Sequence, residues 1–117
     1  MSRRTDRVGE AIQELVARLL VREIKDPRIG LITITGVRIS PDLRHARVFF
    51  SSLGDEEQHQ RSLRGLRSAA GFIRGQIARQ LNLRVAPEIV FEFDPSLEEA
   101  ERLSRLLKAT PPSDEQS

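Results

Sequence analysis

Six arginines and no acidic residue fall between Gln58 and Arg84: Arg61, Arg64, Arg67, Arg74, Arg79 and Arg84. Guanidinium groups keep their charge and pair with phosphate through two parallel N–H donors, so a run of them without counter-charge suits an anionic polymer. The same stretch carries apolar residues at helical spacing: Leu63, Leu66, Ala70, Ile73, Ile77 and Leu81. On an ideal helix with Arg61 at zero, Arg64 and Arg67 fall at about 300° and 240°, while Leu63, Leu66, Ala70 and Ile73 fall between about 120° and 200°. A core side and a phosphate-facing side are therefore opposed. Six such contacts would give a log–log salt slope of at most about −4 on a single strand and about −5 on a duplex. Arg74 borders the apolar stripe, where packing or an ion pair at the core edge competes with phosphate contact. A solvated arginine face with no ligand is the competing account of the whole run.

Other chemistry finds little support. The two histidines, His45 and His59, are far apart, and there is no cysteine or tyrosine. His45 lies near Ser40 and Asp42, but at a strand turn without an oxyanion site, which reads as a surface histidine and not as part of a triad. Two distant histidines make a poor metal site, and no metal or cofactor is expected. Glu88, Glu92 and Asp94 alternate along one strand face, which an outward polar surface explains without acid–base catalysis. No glycine-rich nucleotide-binding loop occurs. Of the phenylalanines on the strands, Phe50, Phe91 and Phe93 point with apolar neighbours, leaving Phe49 as the one available for base stacking.

The elements that must position these groups follow from periodicity. The 117 residues make one domain, residues 1–109, with residues 110–117 (TPPSDEQS) as a disordered tail that has nothing apolar to bury. Absence of cysteine suits a reducing cytoplasm, and neither a membrane-length apolar run nor a signal-peptide core is present. Val8, Ile12, Leu15, Val16 and Leu19 predict a helix over 5–25, capped by Thr5 or Asp6 and stopped by Asp26-Pro27. Arg3, Arg4, Arg7 and Lys25 lie on or before it. Strands are expected over 31–39, with a bulge at Gly36, and over 45–52, the two forming a hairpin. Asp55 opens a helix that ends at the small residues Ser68-Ala69-Ala70-Gly71, and a second helix runs from about Phe72 to Leu81, stopped by Asn82. Residues 87–94 alternate as a third strand. Ser96 and Glu99 open a last helix whose stripe is Leu97, Ala100, Leu103, Leu106 and Leu107. The order is α-β-β-α-kink-α-β-α. The crossover makes the last strand parallel, giving an α+β domain with a three-stranded mixed sheet and helices on one face.

Charge is unevenly spread. Residues 1–47 hold ten Lys/Arg against six Asp/Glu, residues 59–87 six against none, and residues 88–117 three against eight. Such asymmetry points to an anionic partner for the first two segments. An acidic C-terminal helix that binds protein is a second reading. A small RNA-modifying or hydrolytic enzyme is a third, disfavoured by the missing nucleophile and base.

Several short motifs, in this order and spacing, resemble the ribosome-binding factor A family. They are Lys25-Asp26-Pro27-Arg28, Ser40-Pro41-Asp42-Leu43 with Ala46, Gly71-Phe72-Ile73-Arg74, Leu83-Arg84, and Pro87-Glu88 followed by Phe91 and Asp94. The resemblance runs from Arg7 to Leu107. It implies a type II KH-like domain whose Gly-x-x-Gly loop is replaced by an Ala-x-Gly kink between the helices, here Ala69-Ala70-Gly71. It implies a non-enzymatic, cytoplasmic, monomeric factor that binds free immature 30S subunits. The factor promotes late 16S rRNA processing and maturation, including at low temperature, and a ribosome-associated GTPase assists its release. RNA contact is then expected from Arg3, Arg4, Arg7, Lys25, Arg28, Arg61, Arg64, Arg67, Arg74, Arg79 and Arg84.

Overall fold

A computed structural model describes residues 3–109, so the tail expected over 110–117 lies outside the described residues. The elements are α1 (Arg3–Arg22), β1 (Ile32–Ile39), β2 (His45–Ser52), α2 (Glu56–Gln80), β3 (Glu88–Phe93) and α3 (Ser96–Ala109). The strands order β1-β2-β3, with β2 central, antiparallel to β1 and parallel to β3. Alternation along β2 buries Ala46, Val48 and Phe50 and turns His45 and Arg47 outward. The β1–β2 register shifts between Ile34 and Gly36, so Thr35 is the extra residue of the bulge expected there. Its hydroxyl donates to Asp94 Oδ2 at 2.7 Å, tying the bulge to the end of β3.

One face of the sheet is closed by α1 and α2. Ile12, Leu15, Val16 and Leu19 of α1 meet Leu66, Ile73 and Ile77 of α2 and Ile34, Ile39, Val48, Phe50 and Phe91 of the sheet in a single core. Helix α1 begins earlier than expected, so Thr5 is a buried residue inside it instead of its cap. Asp55 caps α2 by accepting from Gln58 N at 3.0 Å. Asn82 ends the α2 segment in the left-handed region, φ 55°, where an asparagine is tolerated.

Two expectations need correction. The helix pair separated at Ala69-Ala70-Gly71 is one continuous helix of 25 residues. Alanine is the best helix former, and a single glycine costs only about 1 kcal/mol against it. The buried stripe on either side is contiguous, so packing on the sheet carries the helix through. The leucine stripe of α3 is not core: Leu97, Leu103, Leu106 and Leu107 are all more than half exposed. The inner face of the sheet is already covered by α1 and α2. Among the described residues no helix is long and apolar enough to cross a membrane.

The loop joining α1 to β1 is clamped to α2 by polar contacts. Arg28 donates from Nε and Nη2 to the two oxygens of Asp26, at 3.1 and 2.7 Å, and from Nη2 to Ser68 Oγ at 3.0 Å. Gln58 Nε2 donates to Arg28 O, and Gly30 N donates to Ser62 Oγ. The hydrogen bond from Arg28 holds the Asp26 carboxyl down to about 2. A lowered folded-state value means that this contribution is complete above the ordinary carboxylate pKa of about 4 and is lost as pH falls through about 2. An NMR titration of the Asp26 carboxyl is expected to show a midpoint near 2, with the Arg28 amide shifting in the same window. A midpoint near 4 would mean that the clamp does not form in solution.

Candidate nucleic-acid interface

The outer side of α2 has the composition expected of a phosphate-binding face. Arg61, Arg64, Arg67 and Arg79 are exposed, and none of them takes part in an ion pair among the described residues. The opposite side buries His59, Ser62, Leu66, Ile73 and Ile77. Helical periodicity thus holds four guanidinium groups in water on a rigid element. Phe72 stands among them, 44% exposed, and on an ideal wheel it falls about 20° from Arg61. An aromatic ring beside free guanidinium groups can stack on a base. Sequence reasoning passed over Phe72 in favour of Phe49. The signal was its position eleven residues after Arg61, on the arginine side of the wheel. Phe49 is half-buried, with the Arg47 guanidinium 5.1 Å from its ring centroid. Arg47 is held by Glu92 through two hydrogen bonds of 2.8 Å, which lowers the Glu92 carboxyl below its usual range.

The remaining expected contacts divide. Arg74 donates to Pro87 O at 2.9 Å and to Ala86 O at 3.3 Å, and Glu88 lies 3.7 Å away. It ties α2 to the entry of β3, so its donors serve the fold. Arg28 is engaged in the clamp described above. Arg3, Arg4 and Arg7 are exposed on the first turns of α1, Lys25 is exposed just after it, and Arg84 is exposed in the α2–β3 connection. Ala69 and Ala70 are half-buried, and Gly71 is exposed, with nothing beyond the neighbouring helix backbone within 4 Å of where a Cβ would stand.

His45 is exposed and joins the β1–β2 turn through its backbone, whereas His59 belongs to the core. Ser40 donates to Asp42 Oδ1 at 2.6 Å and accepts from His45 N at 3.0 Å, building the β1–β2 turn. His59 is buried, stacked on Phe93 at 4.1 Å, with Nε2 3.1 Å from Ser52 O. No group of three or more His, Cys, Asp or Glu that could hold a metal ion occurs among the described residues.

A model of the family described as ribosome-binding factor A matches residues 4–107. The chain belongs to the ribosome-binding factor A family. It is 49% identical over 108 residues to ribosome-binding factor A of Geobacter metallireducens, covering 92% of each chain. The solution NMR structure of the Thermotoga maritima candidate ribosome-binding factor A superposes with a TM-score of 0.71 at 36% identity, covering 79% of this chain and 88% of that one. A Thermus thermophilus ribosome-binding factor A homology model, fitted into a cryo-EM map of a 30S complex, aligns with a TM-score of 0.58 at 25% identity over 82% of this chain and 97% of that one. Membership makes the α+β domain a KH-like fold and the protein a non-enzymatic factor.

Proposed function

We propose that the protein is a ribosome assembly factor that binds the free, immature 30S subunit and promotes late 16S rRNA processing and maturation, including at low temperature. The observation that carries the reading is the face of α2, where Arg61, Arg64, Arg67 and Arg79 stand exposed and outside any ion pair among the described residues, in a chain of this family. The 30S complex of the Thermus thermophilus relative supports the same partner. With few exposed rings beside many guanidinium groups, recognition rests on RNA backbone and shape more than on base sequence. A factor of this kind acts by binding one rRNA conformer more tightly than the others. Release follows when that surface is rearranged on maturation, with a ribosome-associated GTPase as the partner that assists. It works as a monomer in the cytoplasm.

In a sucrose gradient the protein is expected to travel with immature 30S particles, to be absent from 70S ribosomes, and to leave the particles as salt rises. Cells lacking it are expected to accumulate 16S precursors unprocessed near the 5′ end, most of all in the cold. Equal precursor levels with and without the protein would overturn the reading. The exposed leucines of α3 favour a second reading, a protein contact made by that helix. Association that survives nuclease treatment and resists salt would support it in place of RNA binding.

A further inference from the structure

A cleft of about 340 Å³ lies away from the outer face of α2 and is open to solvent. It is lined by Arg4 from the first turn of α1, Asp42, Leu43 and Arg44 from the β1–β2 turn, and Asn82, Leu83, Arg84 and Val85 from the α2–β3 connection. Three chain segments far apart in sequence thus each bring one arginine to the same space. All three arginines are exposed, and none forms an ion pair among the described residues. The acid of the lining, Asp42, has Oδ1 occupied by the Ser40 hydroxyl and by Arg44 N at 3.0 Å. Those two donors hold its carboxyl below the usual range, so it stays charged and committed to the turn.

Backbone conformation singles out the same place. The non-glycine residues with positive φ among the described residues are Leu43 at 62° and Asn82 at 55°, and both line this cleft. A leucine in that region is uncommon and strained, and such strain gathers at binding sites. Here the two positive-φ residues come from different loops, the β1–β2 turn and the α2–β3 connection. Arg44 and Val85 also border a smaller adjoining hollow with His45, Arg74, Ala86 and Glu88, so the cleft continues along the entry of β3 as a groove.

We propose that this cleft is a second phosphate-binding subsite, which holds backbone phosphates of single-stranded RNA between Arg4, Arg44 and Arg84. Three guanidinium groups on separate segments grip an anion from several sides, as bidentate arginine donors do. The cleft has room for about one nucleotide unit and not for a duplex. Leu43, Leu83 and the half-exposed Val85 give it an apolar wall on which a ribose or base can rest. The α2 face is convex and continuous and suits folded rRNA. The cleft is concave and takes a strand that leaves it. This subsite rests on the proposed RNA-binding function and adds to it a site for an unpaired strand.

The test uses the full chain with Arg4→Gln, Arg44→Gln and Arg84→Gln combined. Affinity for a single-stranded RNA dodecamer is expected to fall about tenfold or more, and the salt slope to fall by about 2, for three contacts at about 0.7 each. Circular dichroism and melting are expected to be unchanged, since exposed side chains away from specific contacts have small effects on stability. In the unmodified protein, the backbone amides of Leu43, Asn82 and Leu83 are expected to shift when the dodecamer is added. Inorganic phosphate at the same phosphate concentration should leave them in place. Unchanged affinity and slope in the triple variant would overturn the subsite. So would amide shifts that phosphate alone produces in full, which would make the cleft a site for a free anion. Failure of the unmodified protein to bind immature 30S particles would instead sink the function proposed above.

Discussion

Reversing charge at Arg61, Arg64 and Arg67 together, each to glutamate, is expected to abolish co-sedimentation with immature 30S particles while leaving the fold intact. All three side chains are exposed and without ion pairs among the described residues, so each change should move stability by no more than about 0.5 kcal/mol. On the RNA side the change removes three cationic contacts and introduces three repulsive ones. The milder triple glutamine variant should keep residual binding, with its salt slope reduced by about 2 on a single strand. Arg74 is the internal control. Its donors hold Ala86 O and Pro87 O, so Arg74→Gln should lower the melting temperature before it lowers RNA affinity. Undiminished binding by the glutamate variant would move the interface to the α1 arginines, Arg3, Arg4 and Arg7.

Alternation and helical spacing made the fold legible because they report burial directly. Glu88, Val90 and Glu92 against Ile89, Phe91 and Phe93 defined β3, and the shift of phase near Gly36 marked the bulge. Partnership between distant polar groups was not legible. Its place beside the apolar stripe set Arg74 apart from Arg64, but did not reveal its partners, carbonyls 12 and 13 residues away, while Arg64 reaches water. Arg28 is spent on Asp26 and on Ser68, 40 residues away. Arg44 drew no attention as a contact, because the cleft it lines exists only once the α1 N-terminus, a strand turn and the α2–β3 connection meet. The small residues at 69–71 were misread for a different reason. The cluster Ser68-Ala69-Ala70-Gly71 read as a break between two helices, whereas the buried stripe through Leu66, Ile73 and Ile77 outweighs a glycine cost of about 1 kcal/mol.

Glycine substitutions along α2 separate packing from function. A methyl group at Gly65 would stand 2.6 Å from Ile29 Cγ1 and 3.3 Å from Asp26 Oδ2, inside the clamp that holds the α1–β1 loop. Gly65→Ala is therefore expected to destabilise by about 1–3 kcal/mol, because the loop must move to relieve the overlap. For a domain of this size that lowers the melting temperature by about 4 °C per kcal/mol. At Gly71 and Gly75 a Cβ would meet nothing within 4 Å beyond the neighbouring helix backbone, so helix propensity alone should make Gly71→Ala and Gly75→Ala stabilising by up to about 1 kcal/mol each. Packing gives no reason for either glycine. On an ideal wheel they fall at about 280° and 320°, beside Arg64 at about 300° and on the face that Phe72 and Arg61 share. Bare backbone there lets a ribose–phosphate chain come closer to the helix than a row of methyl groups would. The double variant is expected to melt higher than the unmodified protein and to bind immature 30S particles more weakly. A higher melting temperature with unchanged binding would leave the RNA path off the Gly71–Gly75 surface. A lower melting temperature would mean that these glycines adopt a conformation in solution that alanine resists, and would restore the two-helix reading of this segment.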